Sequence, residues 1–263
     1  MELPPEFDLT GRVAVVTGAG TGIGRATATL LAKRGADVAI CGRRADKIEE
    51  AATRIRETGR RALAVQSDVR KPEQCKALMD QVARELGGID ILINNAGGAH
   101  GHVSLAKMDL AKWDRDVQLN LSAAMYCSQA ALPYLRASRG CVVNISSLAG
   151  VNGTGGVGAY SAGKAGLQMF TRVASSEWGG YGIRVNCIAC GMIATEAARE
   201  GWAKSGFDAA GAAKVSFGLR RYGEMDEAAQ AIAFMASDAA SYITGETLAV
   251  GGGPKLGGMI ELE

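Results

Sequence analysis

The chain of 263 residues carries 29 Lys and Arg against 27 Asp and Glu, a formal net charge of +2, with 48% hydrophobic residues. The two charge signs are interspersed, so there is no basic footprint for nucleic acid, and the apolar content is enough for a sizeable core. The 36 glycines follow no collagen-like or low-complexity period. No linker, repeat or composition break divides the sequence, so one domain over residues 1–263 is expected. Met1-Glu2-Leu3-Pro4-Pro5 has neither the basic start nor the apolar core of a signal peptide. The uncharged stretch Val117–Leu135 contains Gln118, Asn120, Ser122, Gln129 and Pro133, and reads as a buried helix, not a membrane span. A soluble cytoplasmic protein is the expectation.

In chain order, Val13–Val16 is a β-branched apolar run of the kind found in buried parallel strands. It runs into Thr17-Gly18-Ala19-Gly20-Thr21-Gly22-Ile23-Gly24, and Arg25–Arg34 then reads as a helix stopped at Gly35. A strand, a glycine turn and a helix N-terminus form a diphosphate site: glycines allow close backbone approach, while free amides and the helix dipole attract the anion. Further strands are expected at Asp37–Cys41, Ala62–Gln66, Ile89–Ile93, Cys141–Ile145, Arg184–Ile188 and Thr247–Val250, with helices between them, among them Ala45–Glu57, Pro72–Glu85 and Met225–Met235. This alternation predicts a Rossmann-type α/β fold, a doubly wound parallel sheet of about seven strands with helices on both faces. Its ligand crevice lies at the carboxyl ends of the strands. Gly18–Gly24, Asp68, Asn94, Ser146-Ser147 and Gly191 all follow such ends.

After the second strand stands Cys41-Gly42-Arg43-Arg44. A carboxylate here would grip a ribose 2′-hydroxyl; two guanidinium groups suit a 2′-phosphate instead. Later, Tyr160 and Lys164 lie four positions apart, one helical turn. A cation beside a phenol favours phenolate, so Lys164 is expected to lower the Tyr160 pKa towards neutral and make it a usable acid and base.

The pattern Thr-Gly-x-x-x-Gly-x-Gly, together with Tyr160 and Lys164, resembles the classical short-chain dehydrogenase/reductase family over about residues 10–253. Asn94-Asn95-Ala96-Gly97 matches its signature after the fourth strand, Ser147 precedes Tyr160 by thirteen residues, and Asn120 falls where the family has a catalytic asparagine. The resemblance implies hydride transfer between a nicotinamide cofactor and a carbonyl or secondary-alcohol carbon. Ser147 would hold the substrate oxygen, Tyr160 would exchange the proton, Lys164 would bind the nicotinamide ribose, and Asn120 would support a proton-carrying water chain. It also implies cofactor contacts from Gly18, Thr21, Gly22, Ile23, Gly24, Asp68, Val69, Asn94, Ala96, Gly97, Tyr160, Lys164, Gly191, Ile193 and Thr195. A small residue followed by arginine, here Gly42-Arg43, usually goes with NADP(H) in this family; NAD(H) is the alternative.

The chain departs from the family at Cys190-Gly191, where Pro-Gly is usual, and at Val250-Gly251-Gly252-Gly253, where Val-Asp-Gly-Gly is common. Residues 195–217 stand where the family has its substrate lid. Trp202, Phe207, Val215 and Phe217 there suit an apolar ketone or alcohol. His100 and His102 could border the pocket, and the apolar tail from Pro254 could cover a second subunit, since family members are commonly homo-oligomers, tetramers or dimers. The six cysteines, at positions 41, 75, 127, 141, 187 and 190, read as buried free thiols, without metal or redox chemistry. Two other readings remain: an enoyl- or dienoyl-thioester reductase of the same family, and a non-catalytic NADP(H)-binding scaffold.

Overall fold

The computed structural model describes residues 4–99 and 101–253, so His100 and the tail from Pro254 lie outside the described residues. Seven strands make one sheet, in the order β3-β2-β1-β4-β5-β6-β7. They are β1 (Val13–Thr17), β2 (Asp37–Gly42), β3 (Ala62–Gln66), β4 (Ile91–Asn94), β5 (Cys141–Ser147), β6 (Arg184–Cys190) and β7 (Thr247–Val250). Every neighbouring pair is parallel; Val13 pairs with Asp37 and Ala14 with Ile91, so β1 has β2 on one side and β4 on the other. Strand order reverses between β1 and β4, which is where an open sheet of this kind leaves its crevice.

Ten α-helices stand among the described residues: α1 (Gly22–Lys33), α2 (Ala45–Arg56), α3 (Pro72–Leu86), α4 (Leu110–Val117), α5 (Ala123–Ser138), the short α6 (Ala149–Asn152), α7 (Gly158–Trp178), α8 (Glu196–Ser205), α9 (Ala209–Ser216) and α10 (Met225–Ala236). Side chains alternate across a strand, and β1 shows the result. Ala14 and Val16 pack with Leu31 of α1, Ile48 of α2 and Ile232 of α10 on one face. Val13 and Val15 pack with Leu78 and Val82 of α3 and with Ala131 and Leu135 of α5 on the other. Wholly buried side chains such as Leu31 and Leu92 each contribute about 1.5–3 kcal/mol, and two such layers clamp the sheet.

Each expected strand is present, β3 and β7 with the expected ends and the others with shifted ones, and helices stand at the expected 25–34, 45–57, 72–85 and 225–235 within a residue or a few at each end. β5 runs on through Ser146-Ser147 and β6 through Ala189-Cys190, because their parallel ladder continues from Ile145↔Ile188 to Ser147↔Cys190. The fourth strand starts at Ile91, two residues later than expected. The stretch 117–135 is not one uniform helix: α4 passes through a π-helical turn at Gln118–Ser122 before α5 begins. That turn carries Asn120. π-turns are wide single turns that often mark functional positions.

Candidate active site

The carboxyl ends of β1, β2, β4, β5 and β6 open into a cleft of about 630 Å³. Gly18, Thr21, Gly22, Ile23, Gly24, Arg43, Arg44, Asp68, Val69, Ala96, Gly97, Ser147, Tyr160, Lys164, Gly191, Ile193 and Thr195 all line it. These expected site residues, drawn from positions 18 to 195, are thus brought together.

At the first strand end the chain needs its glycines. Gly18 has φ +64°, and a Cβ there would lie 2.8 Å from Ala96 Cα. A Cβ on Gly24 would collide with Asn95 Nδ2, which donates to the carbonyls of Thr17 and Gly18. The loop is therefore a shallow cradle floored by backbone, opening on the N-terminus of α1. A diphosphate fits it, since amides and the helix dipole converge there. Further along the cleft, Arg43 and Arg44 are exposed, and the Arg44 guanidinium reaches Thr21 Oγ1 at 3.5 Å. Ser67 Oγ is buried in the cleft wall with no hydrogen-bond partner among the described residues. Asp68 is held by Arg70, whose guanidinium hydrogen bonds lower its pKa. These groups fit a nicotinamide dinucleotide: a cradle for its phosphates, cations for its ribose end and an unspent hydroxyl beside them.

At the other end Ser147, Tyr160 and Lys164 converge. Tyr160 is half-buried, and burial pushes its phenol pKa up, with the Ser147 hydroxyl pulling the other way. Lys164 is 4% exposed, and burial pushes its pKa down to about 8. Its Nζ donates to Ile145 O at 2.7 Å and stands 5.7 Å from the centroid of the Tyr160 ring. The expected depression of the Tyr160 pKa by Lys164 is therefore not found; burial dominates and raises it. The ammonium sits over the ring, is bound to a carbonyl, and itself loses charge preference by desolvation.

Asn120 is buried beside the cleft. It accepts from Gly98 N–H at 3.0 Å and donates to Gly98 O and Asp116 O. A Cβ at Gly97 would lie 2.8 Å from both Asn120 Oδ1 and Lys164 Nζ, so Gly97 keeps open the space between them.

Asn94 is among the expected cofactor contacts. It does not line the cleft; its Nδ2 donates to Ser128 Oγ and Asn144 Oδ1 on the far side of the strand end. Asn95 takes the cleft position instead, because adjacent residues at a strand end face opposite ways. The structure adds Ser67, Lys47 and Glu196 to the cleft wall. Thr195 lines the cleft while its hydroxyl caps α8 by accepting from Ala198 N–H at 3.1 Å. Trp202 packs against Tyr222, with ring centroids 5.4 Å apart, while Phe207 and Val215 are exposed. Cys190 is buried, like the other five cysteines, and all six are free. No helix among the described residues is long and apolar enough to cross a membrane.

This arrangement is that of a nicotinamide-dependent oxidoreductase. The chain belongs to the short-chain dehydrogenase family, whose model matches residues 12–206. It is 42% identical over 243 residues to cis-4-hydroxycyclohexanecarboxylate dehydrogenase of Sinomonas cyclohexanicum, covering 92% of this chain and 96% of that protein. Identity is 34% to meso-2,3-butanediol dehydrogenase of Serratia marcescens, over 92% and 94% of the two chains. Among solved structures, 7α-hydroxysteroid dehydrogenase complexed with NADH and 7-oxo glycochenodeoxycholic acid superposes with a TM-score of 0.88 at 31% identity, covering 97% of this chain and 98% of that one.

Proposed function

We propose that this short-chain dehydrogenase transfers a hydride between NADP(H) and a small apolar ketone or secondary alcohol, with Tyr160 as the general acid and base. The observation that carries this reading is the convergence of Ser147, Tyr160 and Lys164 at one end of a cleft whose other end is the glycine cradle. The bound nicotinamide supplies the hydride donor or acceptor. The chain's own residues do the rest. Ser147 holds the substrate oxygen, and Tyr160 gives it a proton during reduction and takes it back during oxidation. Lys164, next to Asn120 across Gly97, binds the nicotinamide ribose and passes the proton towards solvent through water held by Asn120. The name of the Sinomonas relative, a dehydrogenase of a hydroxycyclohexanecarboxylate, supports a secondary-alcohol carbon as the reacting centre, and favours this reading over a thioester reductase. The retention of Asn120, Ser147, Tyr160 and Lys164 weighs against a non-catalytic scaffold. Exposed Met125 on α5 and Met169 and Val173 on α7 suit a homo-oligomer.

The NADP preference rests on Arg43 and Arg44, both exposed in the cleft, with no carboxylate in Cys41–Arg44 at the end of β2. Charge-assisted bonds from arginine to phosphate are worth about 1.5–3 kcal/mol. Arg43→Asp is therefore expected to weaken NADPH binding by roughly 10- to 100-fold and NADH binding far less, measured by nicotinamide fluorescence. Equal loss for both cofactors would remove the arginine reading and leave NAD(H).

A further inference from the structure

Glu196, the first residue of α8, reaches back across the cleft mouth to the glycine cradle. Its Oε2 accepts from Gly22 N–H at 3.0 Å, and its Oε1 pairs with the Arg25 guanidinium in the first turn of α1. Next to it, Thr195 Cγ2 would stand 3.5 Å from a Cβ on Gly22. The carboxylate thus lies at the N-termini of two helices, α1 and α8, each of which attracts an anion. One of its oxygens is spent on an amide of the loop that would cradle the diphosphate.

We propose that Glu196 is an internal competitor for the cofactor diphosphate and so sets the cofactor affinity of this enzyme. The inference rests on the reading of the cleft as a dinucleotide site. The carboxylate satisfies the Gly22 amide and is pinned by Arg25. For a diphosphate to settle on the loop, the carboxylate leaves and takes the first turn of α8 with it. The covalent neighbour of Glu196 is Thr195, which caps α8, so emptying and filling the cradle moves the start of the lid segment. The competent form is then only a fraction of the cofactor-free population, and the apparent dissociation constant is raised by the inverse of that fraction. A partly exposed charge-assisted hydrogen bond corresponds to a penalty of roughly fivefold or somewhat more.

The test combines affinity with hydrogen exchange of the cofactor-free protein. NADPH is titrated into wild type, Glu196→Ala and Glu200→Gln; the last removes an equal charge from the exposed face of the same helix. Exchange of the amides at 22–25 and 196–200 is followed in all three without cofactor. The expected result is binding about fivefold tighter in Glu196→Ala alone, together with faster exchange at both segments in that variant. Unchanged affinity in Glu196→Ala, unchanged exchange there, or equal tightening in Glu200→Gln overturns the proposal. Absence of NADPH binding in every variant instead overturns the dinucleotide reading beneath it.

Discussion

Replacing Tyr160 by phenylalanine is expected to lower turnover by roughly 10²- to 10⁴-fold, the usual worth of a positioned acid or base, while cofactor affinity stays within about twofold. The substitution removes one oxygen from a half-buried ring and leaves the ring's packing, so the fold is not disturbed. Burial raises the phenol pKa above its ordinary value, and the sign of the pH dependence follows. At neutral pH the phenol is protonated and ready to donate, which favours reduction of a ketone. Oxidation needs the phenolate, so its rate should climb with pH, and reduction should fall only in strongly alkaline solution. A Tyr160→Phe variant with wild-type turnover would remove the acid–base assignment.

Lys164→Met should separate activity from stability. The lysine is buried, and burial lowers its pKa from 10.5 to about 8. A lysine depressed in the folded state costs stability whenever it is charged. The cost is full below pH 8, is relieved between pH 8 and 10.5, and vanishes above that. At about 1.4 kcal/mol per pH unit the cost at neutral pH is about 3 kcal/mol. The lost hydrogen bond to Ile145 O offsets about 1 kcal/mol of it. Cofactor-free Lys164→Met is therefore expected to melt several degrees higher than wild type at pH 7, with the gain gone near pH 10.5. Its turnover should fall by about 10² or more. A lower melting temperature at pH 7 would mean that Lys164 is stabilised as a charge, contrary to its burial.

Much of this was legible in the sequence, for identifiable reasons. Parallel strands are buried on both faces, so Val13–Val16 reads as an unbroken apolar run and Cys141–Ile145 as one interrupted only by Asn144. The glycine turn announced itself because Gly18 and Gly24 leave no room for a Cβ. Other features had no local signal. The ends of β5 and β6 carry Ser146-Ser147 and Ala189-Cys190, which periodicity does not mark as strand, although the ladder extends through them. Nothing in Gln118–Ser122 distinguishes a π-turn from the helix on either side. The exchange of Asn94 for Asn95 turns on which face of the sheet a single residue meets. Glu196 and Gly22 are 174 residues apart, and only the tertiary fold brings them into contact. The expected pairing of Tyr160 with Lys164 was right in proximity and wrong in electrostatic consequence, because spacing along a helix does not report desolvation.

The most direct measurement is the consumption of NADPH, followed by the absorbance of the reduced nicotinamide, with a panel of cyclic and linear ketones and a crotonyl thioester beside them. Turnover of ketones by the wild-type enzyme is expected, with at least about 10²-fold less from Tyr160→Phe and none with the thioester. NADPH bound but oxidised by no ketone, or consumed only with the thioester, would contradict it.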